Sequence, residues 1–287
     1  MPSQTIQWFP GHMAKTRRMI TENLKNVDVV IEILDARIPK SSRNPEISTM
    51  TSQKPTIILL NKATLADPAM TKKWCEYYST ENTICITTDC VSGMGINKIS
   101  EAVNKVLADK IARYESKGMH GRKLKAMIVG IPNVGKSSLI NKICGSKKAK
   151  VENRPGVTVD KQWVSTNIGL DLMDMPGVLW PKFDDRIIGE NLALTGAIKD
   201  KILDIETLAI VLCSRLRKYY PEMLAARYKL GEMSTYEDLT DLQLFELIGK
   251  KRGFLVSGGE IDYERTANML LEEFRSAKIG KITLDKI

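Results

Sequence analysis

The sequence contains no apolar run that approaches the roughly 20 residues needed to cross a membrane. The first ten residues carry no basic stretch followed by a long apolar one, so we expect neither a secretory signal nor a membrane partner. The five cysteines are scattered and form no C-x-x-C pair, which argues against a structural zinc site or a disulfide framework. Two histidines are too few for a histidine-rich metal enzyme. We therefore expect a reduced, cytoplasmic protein, and we expect it to be a monomer.

Acidic residues are fewer than basic ones, with 34 Asp and Glu against 43 Lys and Arg, and the net charge is +9. Charge alone points to an anionic partner, such as nucleic acid, a phosphate ligand or a membrane surface, and does not choose among these three. Basic residues cluster at 110–125, 142–154 and 250–252. Most single lysines in such runs belong to a solvated face, but three clusters fit contacts to a phosphate backbone. No RNA-reading motif is visible.

Short apolar runs rich in Val and Ile predict buried strands of a parallel sheet that is covered on both faces. These runs are residues 27–34, 55–60, 83–87, 125–130 and 170–173, with 162–168 as a possible edge strand. Helical patterns alternate with them, as in a doubly wound, mostly parallel α/β sheet. After about residue 180 only helical patterns remain. We expect an α/β domain at 1–178 and a smaller all-helical domain at 179–287, with residues 110–125 as a solvated linker.

A glycine-rich loop follows one predicted strand and opens a predicted helix. It fits the phosphate-binding pattern G-x-x-x-x-G-K-[ST], and this context makes the match specific. Glycines let several backbone N–H groups point at one phosphate, and the helix N-terminus adds partial positive charge. We expect Lys136 to reach the β- and γ-phosphates and the Ser137 hydroxyl to bind Mg²⁺. The expected nucleotide contacts in this loop are Asn133, Val134, Gly135, Lys136, Ser137 and Ser138.

A second phosphate motif, D-x-x-G, ends the predicted strand at 170–173. In it Asp174 would orient Mg²⁺ through water, and the amide of Gly177 would sense the γ-phosphate. Between the two motifs lies Arg-Pro-Gly-Val-Thr, in which Thr158 is the candidate switch residue and a further Mg²⁺ ligand. A D-x-x-G pattern alone is common by chance, but its position about 40 residues after the glycine loop favours the functional interpretation.

The base-reading motif lies upstream of the phosphate motifs. Residues Asn61, Lys62, Ala63 and Thr64 match N-K-x-D except that Thr64 stands where Asp is expected. Asn61 can accept from the guanine edge, and the Lys62 stem can cover the base. Asp89 and Cys90 lie where a short base-contacting loop should be, and the Cys90 N–H could contact guanine O6. With base motifs first and phosphate motifs second, the order is that of a circularly permuted GTPase, which re-cutting a doubly wound sheet permits.

In detail the chain resembles the ribosome biogenesis GTPase A family (YlqF/RbgA). The resemblance covers nearly the whole chain and includes the glycine loop and the segments 6–15 (Ile-Gln-Trp-Phe-Pro-Gly-His-Met-Ala-Lys), 35–39 (Asp-Ala-Arg-Ile-Pro), 41–45 (Ser-Ser-Arg-Asn-Pro), 154–158, 174–181, 195–200 and 257–259. It implies a GTPase that binds GTP and GDP with Mg²⁺ and acts in late maturation of the large (50S) ribosomal subunit. It also implies slow hydrolysis that the ribosomal particle stimulates, and contacts between the precursor's rRNA and the C-terminal half.

Thr64 leaves the preference for guanine in question. A threonine hydroxyl cannot take the two hydrogen bonds that an aspartate takes from guanine N1 and N2, so discrimination against adenine should weaken by a few kcal/mol if nothing compensates. A purine-promiscuous NTPase is therefore an alternative to a strict GTPase. Asp67 follows three residues later and could substitute only if its loop were rearranged.

The catalytic group is also uncertain from the residues alone. Val178 follows D-x-x-G, where many GTPases carry a glutamine that orients the attacking water. The family resemblance points to His12 as the catalytic residue, while an N-terminal loop histidine that contacts RNA is the alternative. The loop resembles those of GTPases in which this asparagine helps to hold a K⁺ ion beside the phosphates, so the resemblance implies such a role for Asn133; the alternative is that Asn133 merely tolerates a left-handed turn. If hydrolysis is negligible, the chain is instead a nucleotide-gated RNA-binding scaffold.

Overall fold

The computed structural model describes residues 10–145, 162–180, 183, 185–198 and 204–287, and the side chains of residues 10–13 and 162 are outside this description. Six strands form one sheet in the order β3-β2-β1-β4-β6-β5. They are β1 (Val29–Asp35), β2 (Thr56–Asn61), β3 (Thr83–Thr87), β4 (Leu124–Val129), β5 (Gln162–Ser165) and β6 (Leu170–Asp174). All neighbours pair in parallel except β5 and β6. The predicted doubly wound, mostly parallel sheet is confirmed. The run at 162–168, predicted as a possible edge strand, contains the antiparallel edge strand β5.

Eleven α-helices lie in the described part of the chain. They are α1 (Pro10–Leu24), α2 (Pro45–Thr51), α3 (Pro68–Tyr78), α4 (Lys98–Val106), α5 (Ala108–Glu115), α6 (Lys136–Cys144), α7 (Arg186–Leu194), α8 (Ile205–Tyr219), α9 (Pro221–Tyr228), α10 (Asp241–Lys251) and α11 (Tyr263–Arg275). Helices α1 and α2 were not expected from the sequence. The apolar spacing over 96–114 predicts a single helix, whereas the backbone leaves the helical region at Leu107 and divides the segment in two.

The local sequence explains where several helices begin. Asp67 caps α3 by accepting from the N–H groups of Ala69 and Met70, and Pro68 fills the first helical position, where no N–H is needed. Asn44 caps α2 in the same way. The predicted linker at 110–125 is wrong at both ends, because 110–115 belongs to α5 and 124–125 to β4. Lys110 makes an ion pair with Asp28 at 2.6 Å, which holds this end of α5 against the sheet.

After residue 179 the described secondary structure is helical, as predicted, apart from one isolated bridge between Leu255 and Ile261. The C-terminal segment then returns to the α/β half. The Ile282 N–H donates to the Leu65 carbonyl at 3.2 Å, and the Leu284 N–H donates to the Arg37 carbonyl at 2.8 Å. Leu65 and Arg37 follow β2 and β1, so the end of the chain is attached to the loops at the carboxyl edge of the sheet.

None of the described helices combines the length and apolar character that a membrane span requires.

The carboxyl ends of the strands meet at one edge of the sheet, where Asp35 lies opposite Asn61 and Ile128 opposite Asp174. From β1 the chain continues to β2 on one side, and from β4 it continues to the edge strand β5 and then to β6 on the other. The order of the strands therefore reverses between β1 and β4, and ligands of open α/β sheets bind at such a point. All the predicted site residues in the described part, apart from His12, come from β2, β3, β4, β6 and the residues that directly follow them.

Candidate nucleotide-binding site

The glycine loop connects β4 to α6 and depends on two glycines. Gly130 has φ of 150° and Gly135 has φ of 107°, backbone angles that residues with a side chain rarely adopt. A Cβ at Gly135 would lie 2.3 Å from Nδ2 of Asn61, and one at Gly130 would lie 2.6 Å from the Ile33 carbonyl oxygen. The loop therefore curls tightly against β1 and β2, and this brings the start of α6 to the edge of the sheet. Asn133 also has a left-handed backbone, with φ of 60°.

Lys136 is buried at the start of α6, and its Nζ donates to the carbonyls of Gly130 at 3.0 Å and Ile131 at 2.8 Å. Burial lowers the pKa of this amine to about 8, and the nearby Asp174 carboxylate opposes the shift. A Cβ at Gly177 would lie 2.7 Å from the Lys136 Nζ. The structure thus brings together the lysine of the glycine loop and the glycine of D-x-x-G, as the sequence predicts for a γ-phosphate site.

The predicted Mg²⁺ residues are only partly within the described chain. Ser137 and Ser138 are half-buried in the first turn of α6, and Asp174 is buried at the end of β6, beside β4. Thr158 lies outside the described residues. The described chain has no group of three or more His, Cys, Asp or Glu side chains that could hold a metal. Mg²⁺ commonly takes one carboxylate together with substrate phosphates, so a hydroxyl and a single carboxylate fit this ion.

Asn61 joins the phosphate loop to the loop after β3. Its Nδ2 donates to the Val134 carbonyl at 2.6 Å, and its Oδ1 accepts from the Cys90 N–H at 3.0 Å. Both side-chain groups of this buried residue are thus used within the protein. The Cys90 N–H, which was expected to contact guanine O6, thus already has a partner, and the Asn61 oxygen, expected to face the guanine edge, has one of its two lone pairs in use. In this structure Asn61 positions the two loops, because its short amide spans the gap between them.

Lys62 and Thr64 make separate contacts at the base end of the site. The Lys62 Nζ donates to Oδ2 of Asp35 at 2.9 Å, and burial lowers the pKa of Lys62. The Thr64 hydroxyl donates to Oδ2 of Asp89. The Ala63 N–H donates to the Thr88 carbonyl at 3.2 Å, which holds the two loops together.

Asp35 and Arg37 contribute to the site but were not predicted as site residues. Burial alone would raise the pKa of Asp35, but Arg37 and Lys62 outweigh burial and hold it well below its usual range. The Arg37 guanidinium makes a two-bond contact with this carboxylate, at 2.9 and 2.7 Å. The available signal was the charged D-x-R triplet directly after a buried strand.

Val178 is buried, and its carbonyl accepts from Nδ2 of Asn44 at 3.3 Å. The residue after D-x-x-G therefore places an aliphatic side chain in the core, as its chemistry requires. Asn44, also missed by sequence reasoning, ties the switch segment to the start of α2. Glu46, which lies two residues after Asn44, makes an ion pair with Arg17 on α1.

The backbone of His12 lies in the first turn of α1, so the description of this histidine as a loop residue is wrong. The end of α1 leads directly into β1, and Ile20 packs with residues of β1, β4 and β6. Arg17 pairs with Glu46 near the start of α2, and Lys54 after α2 donates to the Val27 carbonyl just before β1, so α1 runs antiparallel to β1 and its first turn points toward the carboxyl edge of the sheet.

Comparison with known proteins agrees with this geometry. The family described as 50S ribosome-binding GTPase matches residues 125–232. Ribosome biogenesis GTPase A of Priestia megaterium is 48% identical and aligns over 98% of this chain and 96% of its own length. The protein of the same name from Bacillus cereus is 46% identical over 98% of this chain and 93% of its own length.

Two solved structures share the fold over nearly the whole chain. GDP-bound YlqF has a TM-score of 0.61 and 27% identity, and covers 94% of this chain and 99% of its own. GNP-bound YlqF from Thermotoga maritima has a TM-score of 0.60 and 26% identity, and covers 95% and 98%. The resemblance drawn from the motifs is confirmed. With its phosphate loop placed after its base motif on a doubly wound sheet, this chain is a circularly permuted GTPase and belongs to the ribosome biogenesis GTPase A family.

Proposed function

We propose that this GTPase acts as a monomer in the cytoplasm, in late assembly of the large ribosomal subunit, and that the subunit precursor stimulates its hydrolysis of GTP. The names of its relatives support the ribosomal role. GTP or GDP would bind across the carboxyl edge of the sheet. The phosphates would lie at Lys136 and the base between the loops that follow β2 and β3.

Mg²⁺ would be held by the hydroxyls of Ser137 and Thr158, with Asp174 orienting a coordinated water. The ion would neutralise charge that develops on the phosphates during transfer. A K⁺ ion beside the phosphates would contact Oδ1 of Asn133. The Nδ2 of Asn133 donates to the Gly196 carbonyl at 2.9 Å, and this bond fixes the direction of the amide.

The observation that carries the proposal is the direct contact between the helical half and the phosphate loop. The Asn133–Gly196 bond joins the loop to the segment after α7. Arg37, which binds the carboxylate beside Lys62, also donates to the carbonyls of Thr195 and Arg275, each at 3.4 Å. The two halves in our proposal are a GTPase domain at 1–178 and a particle-binding helical domain at 179–287. Because these bonds join the two domains, changes at the phosphates would alter the contact between them.

The exposed cations of the helical half support contact with rRNA. Lys250 and Lys251 are exposed at the end of α10. Arg252, in the same basic run, is half-buried and pairs with Glu273 at 3.2 Å, so its role in the fold is structural. Only the two lysines of this cluster remain for phosphate contacts. The cluster at 142–154 lies mostly outside the described residues.

Catalysis would depend on a group supplied from α1. The buried Val178 cannot orient water, and the switch segment is tied through Asn44 to the start of α2, against which α1 packs. The first turn of α1 points toward the edge of the sheet that carries the phosphate loop. Docking on the particle would bring His12 to the attacking water, where an orienting or acid–base group contributes roughly 10²- to 10⁴-fold.

The test compares His12→Ala with His120→Ala, since His120 is the second histidine and is exposed in the segment before β4. For each variant, nucleotide affinity, GTP-dependent co-sedimentation with large-subunit precursors and stimulated GTP turnover are measured on one preparation. We expect His12→Ala to keep affinity and co-sedimentation but to lose the stimulated rate and remain on its particle. His120→Ala should behave like the wild type.

Three results would contradict parts of this proposal. If the stimulated rate survives in His12→Ala, this histidine is not the catalytic group. If the rate and particle binding fall together, His12 is an RNA contact. If the wild type itself shows no particle-stimulated turnover, the chain is a nucleotide-gated scaffold.

A further inference from the structure

The carboxylate that the base motif lacks at position 64 is present in the neighbouring loop. Asp89 lies two residues after β3, and Thr64 lies three residues after β2, the strand that pairs with β3. The Thr64 hydroxyl donates directly to Oδ2 of Asp89. Asp89 is buried, whereas Thr64 is half-buried and borders an open groove of about 720 Å³. The Asp89 carboxylate is thus shielded from solvent, whereas Thr64 is partly open to it.

The surroundings of Asp89 favour its ionised form. Oδ1 accepts from the N–H groups of Val91 at 2.9 Å and Ser92 at 2.8 Å. Burial alone would raise the pKa of Asp89, but the Thr64 hydroxyl, Ser92 and Val91 outweigh it and hold the pKa below its ordinary value. An ionised carboxylate can only accept hydrogen bonds. The proton in the Thr64–Asp89 bond consequently belongs to the threonine.

This arrangement decides what Thr64 can offer to a ligand. A hydroxyl has one proton and two acceptor lone pairs, and here the proton is directed to Asp89. The outward side of Oγ1 is then an acceptor only, and its bond to a charged partner makes it a better one. Guanine presents the donors N1–H and N2–H₂ on its Watson–Crick edge. Adenine presents an unprotonated N1 there, which would face a second acceptor.

We propose that Asp89 is a positioning residue for base selection, which by taking the Thr64 proton makes Thr64 Oγ1 an acceptor for guanine N1–H or N2–H₂. The pair Thr64–Asp89 does through two side chains what a single aspartate does in N-K-x-D. The weakened guanine preference expected from Thr64 alone is thereby compensated. This inference rests on the proposed placement of the base beside Thr64.

The first test replaces Asp89 by Asn, which is nearly the same size. The Asn Oδ1 can still accept from Val91 and Ser92, so its Nδ2 replaces Oδ2 and donates to Thr64. The Thr64 proton is then free to point outward. We expect the ratio of GDP to ADP affinity, measured by isothermal titration calorimetry, to fall by about tenfold or more. Binding of XDP should strengthen relative to GDP, because xanthine carries a carbonyl at C2 that accepts from the released hydroxyl.

Two substitutions at position 64 provide the matched control. Thr64→Ser keeps the hydroxyl and should keep the GDP to ADP ratio, whereas the nearly isosteric Thr64→Val should lower it as much as Asp89→Asn does. Because Asp89 acts through Thr64, Asp89→Asn should lower the ratio no further when combined with Thr64→Val. An additional tenfold loss in that double variant would overturn the proposal.

A rescue makes the test more specific. Thr64→Asp alone places two carboxylates in contact and should weaken GDP binding. Combined with Asp89→Asn it moves the carboxylate to the position that N-K-x-D prescribes, and we expect the GDP to ADP ratio to return. Failure of the double variant to recover the ratio while it remains folded counts against the proposal.

The alternative is that Asp89 merely caps its own loop. In that case Asp89→Asn would reduce the affinities for GDP, XDP and ADP equally, and Thr64→Val would leave the ratio unchanged. Lys136→Ala is titrated alongside to separate this failure from failure of the proposed site. If Lys136→Ala abolishes GDP binding while Asp89→Asn leaves the ratio unchanged, only the role of Asp89 is wrong. If Lys136→Ala still binds GDP normally, the site itself is misplaced.

Discussion

The two ends of the nucleotide site are built on different principles. The phosphate end keeps every expected residue of its pattern, and Gly135 and Gly130 have no space for a side chain. The base end departs from its pattern at Thr64, and the missing carboxylate lies on another strand's loop, at Asp89. Backbone N–H groups that bind phosphate need one particular path of the chain, so their sequence pattern is strict. A base is read by side-chain donors and acceptors, which can come from either of two adjacent loops without changing the fold.

The largest effect should come from Lys136→Ala, which removes the cation of the phosphate end. Since the charged hydrogen bond to the β-phosphate, which GDP and ADP share, is lost, we expect affinities for GDP and ADP to fall together, by on the order of 100-fold or more. The unfolding temperature should fall as well, because the Gly130 and Ile131 carbonyls lose their buried donor and Asp174 loses a nearby positive charge, so the titrations are made well below it. Lys105→Ala, an exposed lysine on α4, is the matched control. A loss of affinity for GDP without a loss of affinity for ADP would mean that phosphate binding and base selection do not depend on separate ends of the site.

Asn61→Ala tests the connection between the two ends. This change leaves the Val134 carbonyl and the Cys90 N–H without their partner. We expect GDP affinity to fall roughly tenfold to 100-fold, since two hydrogen bonds of about 1 kcal/mol each are lost. The GDP to ADP ratio should fall as well, because the loop that carries Asp89 loses its attachment. Asn104→Ala, an exposed position on α4, provides the comparison. Unchanged selectivity would show that the loop after β3 holds its position without Asn61.

Asp285→Ala tests whether stability and base reading can be separated. The buried Asp285 carboxylate accepts from the Ser41 N–H at 2.6 Å, the Ser41 hydroxyl at 2.7 Å and the Asn191 amide at 2.7 Å. Its removal leaves buried donors unpaired, so the free energy of unfolding should fall by about 2–4 kcal/mol in urea titrations. The exposed Asp238→Ala should cost far less. The GDP to ADP ratio should not change; a change would connect the C-terminal segment to base selection.

The smallest expected effect is a pH dependence at the phosphate end. The pKa of Lys136 is about 8 because the amine is buried, and bound phosphates must raise it. Because the pKa of Lys136 is higher in the complex than in the free protein, its positive charge strengthens GDP binding at pH values below the pKa of the free protein. This contribution to GDP affinity is lost as the pH rises. A larger part of the free protein carries a neutral Lys136 at pH 8.5 than at pH 6.5, so GDP binding at pH 8.5 should take up a proton. Calorimetry in two buffers of different ionisation enthalpy measures this uptake, which should be near zero at pH 6.5. Equal uptake at both pH values would contradict the lowered pKa.

The sequence indicated the strands and most helices correctly because their apolar patterns are short-range signals. It missed α1 and α2, whose sequences begin with Pro-Gly and Pro-Glu and have only a few apolar residues each. The break at Leu107 gave no local signal, since the apolar spacing continues through it. Of the site, the glycine loop, Asp174, Gly177 and the N-K pair were predicted as motifs. Asp35, Arg37 and Asn44 were not predicted. Asp35 and Asn44 contact residues that are distant in sequence, and Arg37 contacts Asp35, whose own role was unknown.

The sequence by itself determined the fold class, the order of the motifs and the pattern of the candidate phosphate end, because these depend on local patterns and on glycines at positions where a side chain would clash. Only the tertiary structure decided what lies beside Thr64. A hydroxyl is donor and acceptor at once, and its role depends on the partner that takes its proton. That partner, Asp89, is 25 residues away in the sequence and reaches Thr64 only because β2 and β3 are neighbours in the sheet.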